Sequence, residues 1–154
     1  MNKDKNISFL DIVKATPLVS IDLIIKNPKN EVLLGKRINQ PAKGYWFVPG
    51  GIIRKNETIN QAIARISAKE TGKDLSAADP HLLGTYEHIY EDNFLNVPGI
   101  NTHYVVLAFV ILLHHEIEAV PDEQHSDLKW WNKYKLLEEP TVHQYTKVYF
   151  KYLP

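Results

Sequence analysis

Residues Pro49–Lys73 read PGGIIRKNETINQAIARISAKETGK, and a change of periodicity inside this stretch decides the fold. Before it, Tyr45 to Val48 is an aromatic, strand-like run that Pro49, Gly50 and Gly51 bring to a tight turn. From Thr58 onward the apolar residues Ile59, Ala62, Ile63 and Ile66 fall at i, i+3, i+4 and i+7, the spacing of one helix face. Thr58 and Gln61 are spaced as a capping box, and Gly72 supplies the stop. The stretch therefore predicts strand, close turn, helix. Eleven residues is close to three helical turns, so Glu70 projects within about 20° of Ile59 and continues the apolar stripe. A carboxylate there either escapes to solvent at the last turn or needs a cation, because burying it unpaired costs several kcal/mol. The two glycines let the backbone approach a ligand closely and leave carbonyls to face such a cation.

The flanking sequence extends the alternation. SFLD from Ser8 predicts a capped short helix ending before Pro17, LVSIDLIIK and EVLLGKR a hairpin over Val19–Arg37, and NPKNE its turn. Asp22 is the odd polar member of its strand, and burial would demand a partner. LLGTYEHIYED, THYVVLAFVILLH and DLKWW predict three more strands, and HQYTKVYFKYL a final amphipathic helix. The expected architecture is α/β of the α+β type, a single domain over residues 1–154 with a mixed sheet between helices.

Composition narrows the function classes. Lys plus Arg and Asp plus Glu both number 18, so no bulk field draws the chain to nucleic acid or an anionic membrane, and an anionic ligand must be held by locally placed cations. Cysteine is absent, which excludes disulfides and thiolate metal sites. The longest apolar run, VVLAFVILL from Val105, is far short of the roughly 20 residues that span a bilayer. The opening MNKDKNISFLDIVK does not read as a secretion signal, so a cytoplasmic protein is the expectation.

The pattern of Gly51, Glu57, Arg65, Glu70 and Gly72 resembles the box of the Nudix hydrolase superfamily, whose members act on nucleoside diphosphates linked to another group. The usual box carries glutamate where this chain has Ile66 and Lys69, so the carboxylate cluster that holds several metal ions cannot assemble. The stretches TPLVSID, LLGKR, PAKGYWFVPGG, YEDNF, THYVVL and PDEQH, in this order from Thr16 to His125, resemble one subfamily, the GDP-mannose mannosyl hydrolases.

That resemblance implies a Nudix fold, a homodimer and a nucleotide-sugar substrate. It implies one Mg²⁺ per subunit, held by the Gly50 carbonyl, Glu70 and Gln124, with His125 as general base. Arg37 and Tyr104, with Lys36, hold the diphosphate, and Asp22 and His88 lie near the sugar or base. Arg65 is carried over as the arginine of the box. The implied reaction is attack of water on the anomeric carbon, releasing GDP and a free hexose with inversion.

The subfamily has arginine directly after the two glycines, where this chain has Ile52. If the backbone stays extended, Arg54 shares a face with position 52 and substitutes in part for the lost cation. Two other functions compete: conventional cleavage at phosphorus, and a Nudix-fold binding module without catalysis.

Overall fold

The computed structural model describes residues 7–118, 125–151 and 153. Their elements are α1 (Phe9–Ala15), β1 (Leu18–Lys26), β2 (Val32–Arg37), β3 (Trp46–Phe47), β4 (Gly50–Ile52), α2 (Ile59–Thr71), β5 (His81–Tyr90), β6 (Thr102–Leu112), β7 (His125–Trp131), α3 (Lys133–Glu138) and α4 (Gln144–Phe150). Both predicted capping boxes form, Ser8 with Asp11 and Thr58 with Gln61, and Gly72 ends α2 at φ 74°. A left-handed C-terminal residue is what glycine permits at no steric cost.

Strand β1 organises the mixed sheet. It runs parallel to β6 along its whole length and antiparallel to β4 over Ser20–Asp22. It meets β2 only at the Lys26↔Val32 pair, so the expected hairpin opens at once and β2 continues against β7. The physical reason is competition for one edge: β4 takes the first half of β1, and β2 is left with its end. The aromatic strand also divides, β3 pairing with β2 and β4 with β1, with Pro49 between them. The helix α3 went unpredicted because its six residues are too few to show a periodicity.

Alternation along β1 builds two apolar layers. Ile21, Leu23 and Ile25 pack with Ala62, Ile63 and Ile66 of α2, while Ile24 packs with Leu136, Tyr149 and Phe150 of α3 and α4. By the same period, Ser20 and Asp22 belong to the α4 side. The buried stripe of α2 is Ala62, Ile63, Ile66, Ser67, Glu70 and Thr71. Ile59, expected on it, is exposed, because at the first turn α2 has not yet reached the sheet. Glu70 is only 2 % exposed, so it does not escape to solvent. Ile66 touches the strand turn closely enough that a methyl group on Gly51 would meet its Cγ1 at 3.2 Å. Its burial is worth about 1.5–3 kcal/mol.

Candidate active site

A cleft of about 290 Å³ opens on the α4 side of the sheet, with Asp22, Arg37, Gly50, Ile52, His88, Tyr90 and Tyr104 among its lining residues. Gly50 is there because nothing larger fits. It pairs with Asp22 across β1 and β4, and an added methyl would lie 2.5 Å from Asp22 Oδ1 and 2.7 Å from the Ile21 carbonyl oxygen. His88 and Tyr104 face each other across β5 and β6, which places them on one face of the sheet. Arg37 ends β2, where its Nε donates to the Pro41 carbonyl at 2.9 Å and its guanidinium lies 5.7 Å from the Phe47 ring centroid. At the cleft mouth Phe9 packs against Phe94 at 5.1 Å between ring centroids. The loop carrying Phe94 is folded around buried Asn93, whose side chain donates to the Val97 and Ile100 carbonyls and accepts from the Leu95 and Val97 amides.

Helix α4 packs behind two of the lining residues, Asp22 and His88. The Tyr149 hydroxyl donates to Asp22 Oδ2 at 2.5 Å and lies 3.2 Å from His88 Nε2. One turn earlier, Tyr145 stacks on the His88 ring at 4.3 Å and 5°. Its hydroxyl is fixed by the backbone of Ile89, donating to the carbonyl at 2.9 Å and accepting from the amide at 3.2 Å. His143 caps the helix by accepting from the Tyr145 amide and stacks on Phe47.

Burial dominates the electrostatics. It pushes Asp22 up to about 6, against the Tyr149 hydrogen bond and the charge of Arg37. It pulls His88 down to about 4, with His143 adding to the effect, and His143 down to about 4, with Arg37 adding to it. Tyr104 and Tyr90 are raised, again chiefly by burial, so their hydroxyls stay protonated and able to donate.

The box helix lies on the other side of β4. Arg65 Nε and one terminal nitrogen donate to the Glu57 carboxylate at 2.6 and 2.8 Å, and that terminal nitrogen also reaches the Ile52 carbonyl at 2.8 Å. This fork ties α2 to the end of β4. The hydrogen bonds from Arg65, joined by the Arg54 amide, hold Glu57 down to about 2. Arg65 was expected among the catalytic groups, but it does not line the cleft, because its donors are spent on this brace. Arg54 does not line it either: β4 stops at Ile52, the extended geometry ends there, and the Arg54 side chain is exposed. Lys36 pairs with Trp46 on β3 and is likewise outside the cleft lining.

Of the expected metal ligands, Glu70 is buried on the α2 face that packs on β1 and β4, Gly50 belongs to β4, and Gln124 lies outside the described residues. The backbone of His125 opposes Arg37 across β2 and β7. Nudix enzymes generally use divalent metals. A carboxylate, a backbone carbonyl and a side-chain amide would together make an all-oxygen donor set of the kind Mg²⁺ takes, and of these the Glu70 carboxylate is buried. Reading the sequence missed Tyr149, Tyr145 and His143. The i, i+4 spacing of the two tyrosines was visible, but only the packing of α4 turns them toward His88.

Comparison with known proteins follows the same outline. Residues 16–152 match the NUDIX domain family. The chain is 44% identical over 119 residues, 77% of its length and 72% of the relative's, to the low-salt glycan biosynthesis protein Agl8 of Haloferax volcanii. It is 31% identical over 112 residues to an ADP-ribose pyrophosphatase of Methanocaldococcus jannaschii, covering 72% of this chain and 60% of that protein. Among solved structures it superposes on a MutT protein from Methanosarcina mazei with a TM-score of 0.68 at 21% identity, covering 89% and 93% of the two chains. It also superposes on the NUDIX domain of Shewanella oneidensis NrtR in complex with ADP ribose, with a TM-score of 0.68 at 22% identity, covering 88% and 87%. With a mixed sheet between helices and a matching profile over nearly its whole length, the chain belongs to the Nudix family.

Proposed function

We propose that this Nudix protein hydrolyses a GDP-sugar, GDP-mannose or GDP-glucose, at the anomeric carbon, giving GDP and a free hexose. The observation that carries the reading is the state of α2. Ile66 is a core residue beneath Gly51, Lys69 is exposed, and Glu70 is the one carboxylate on the buried face of the helix. A helix so furnished offers no multi-metal cluster for driving water onto phosphorus. Attack on carbon needs none. The similarity to a glycan biosynthesis protein supports a sugar substrate.

Gly50, Glu70 and Gln124 would hold one Mg²⁺, which when bound supplies charge neutralisation to the departing diphosphate. The remaining chemistry is the chain's own. Arg37 and Tyr104 donate to the leaving group as negative charge builds on it. Asp22 and His88 hold the sugar end. His125, opposite Arg37 in the register of β2 and β7, takes the proton of the attacking water. The new bond forms between water oxygen and the anomeric carbon, and the bond from that carbon to the β-phosphate oxygen breaks, its electron pair leaving with GDP. With no second carboxylate assigned as nucleophile, a single displacement inverts the anomeric centre. A homodimer is part of the same proposal and is read from the mass in solution.

The pyrophosphatase likeness favours a second reading, cleavage at phosphorus to GMP and sugar phosphate. Turnover of GDP-mannose with Mg²⁺ in ¹⁸O-water separates the two. Label on the hexose is expected; label on phosphate, or a phosphorylated sugar, overturns the carbon reading. No turnover of either kind leaves a binding module.

A further inference from the structure

Two lining residues of the cleft, Asp22 and His88, are joined through buried Tyr149 in a hydrogen-bond relay whose polarity follows atom by atom. Tyr149 is fully buried, and its hydroxyl has two polar neighbours, Asp22 Oδ2 at 2.5 Å and His88 Nε2 at 3.2 Å. An ionised carboxylate can only accept, so the single hydroxyl proton of Tyr149 goes to Asp22, and the short distance is that of a charge-assisted O–H to carboxylate bond. The Tyr149 oxygen is then left with lone pairs toward His88. A favourable contact at Nε2 therefore requires the histidine proton to sit on Nε2. Neutral imidazole has only one proton, so Nδ1 is bare. Burial and His143 keep the ring neutral. Among the described residues Nδ1 has no hydrogen-bond partner. The ring is held against rotation by Tyr145, itself tied to the Ile89 backbone.

We propose that Tyr149 is a positioning residue that sets the polarity of the inner cleft: it keeps the His88 proton on Nε2 and so presents His88 Nδ1 and Asp22 Oδ1 as a pair of acceptors. Such a pair selects ligand groups that donate, hydroxyls or N–H, and disfavours a phosphate, whose oxygens at neutral pH are acceptors. Identifying the donors as sugar hydroxyls rests on the nucleotide-sugar reading. The acceptor polarity does not.

The test has two arms. In the free protein, long-range ¹H–¹⁵N spectra of the histidines report the tautomer directly. Wild type is expected to show His88 protonated at Nε2, Tyr149→Phe a mixture of tautomers, and Asp22→Asn a shift toward Nδ1–H, since an amide can donate to Tyr149 and turn its proton toward His88. A wild-type Nδ1–H tautomer, or a tautomer unmoved in both variants, overturns the proposal whatever the substrate. In the second arm, wild type should prefer GDP-mannose over a GDP-deoxymannose by roughly 10⁴-fold in kcat/KM, the behaviour of a site built to bind a hydroxyl. Tyr149→Phe should retain less than a tenth of that ratio, with near-UV dichroism confirming its packing. An unchanged ratio overturns the proposal. Should neither GDP-sugar turn over, the nucleotide-sugar reading fails, and the tautomer alone decides the relay.

Discussion

The two helices that flank β1 contribute to the cleft region in opposite ways. Helix α2 carries the family's recognisable residues, yet most of them are structural: Ile66 fills the core, Arg65 and Glu57 lock the helix to β4, and Glu70 alone is a buried carboxylate. Helix α4 lies outside the box, yet its Tyr149 and Tyr145 contact the lining residues Asp22 and His88, and His143 caps it. The difference teaches that a sequence signature records how a scaffold is held together as much as where chemistry occurs. Residues near in sequence can brace one another locally, whereas the residues of a cleft are held by strands and a helix far apart in the chain.

Removing Glu70 is the harshest way to test that comparison. Glu70→Gln should lower kcat/KM by at least about 100-fold, equivalent to about 2.7 kcal/mol of transition-state stabilisation, while circular dichroism stays native. Equal activity in the variant would show that α2 is scaffold only. Gly50→Ala strikes the boundary between the two sides. A methyl 2.5 Å from Asp22 Oδ1 and 2.7 Å from a backbone oxygen must displace β1 or β4, so a loss of about 1–3 kcal/mol in denaturant unfolding is expected. An unchanged midpoint would mean that this close approach is absent in solution.

Ile52→Arg sharpens the comparison in the other direction. It places a cation in the cleft lining beside Gly51, and about tenfold faster turnover is expected if leaving-group charge limits the reaction, equivalent to about 1.4 kcal/mol. Steady-state kinetics on GDP-mannose decides. For the brace, the sign follows from Glu57, whose carboxyl is held down to about 2 in the folded chain. A depressed acid stabilises the fold above its unfolded value near 4.5 and loses that contribution as pH falls toward 2. Acid unfolding of Glu57→Gln should therefore be flatter than wild type in that window, and parallel curves would remove Glu57 from the brace. The smallest effect belongs to Arg54→Ala. Exposed and outside the cleft, Arg54 should leave turnover within about twofold, under about 0.5 kcal/mol. A larger loss would restore it as the replacement cation.

Sequence by itself determined the local events: both capping boxes, the Gly72 stop and the break at Pro49, while the burial of Glu70 stayed open until the fold was seen. Each depends on residues a few positions apart, where spacing and backbone preference act without tertiary help. It also marked Asp22 as a polar residue needing a partner, and Tyr149 proved to be that partner across 127 positions. Tertiary structure alone decided that identity. It also decided which strand takes which edge of β1, that Arg65 braces while Arg37 lines the cleft, and that Ile59 stays outside the core. The physical reason is that edges, donors and burial are finite and shared. Their allocation depends on every element competing for them, and only the assembled fold settles that competition.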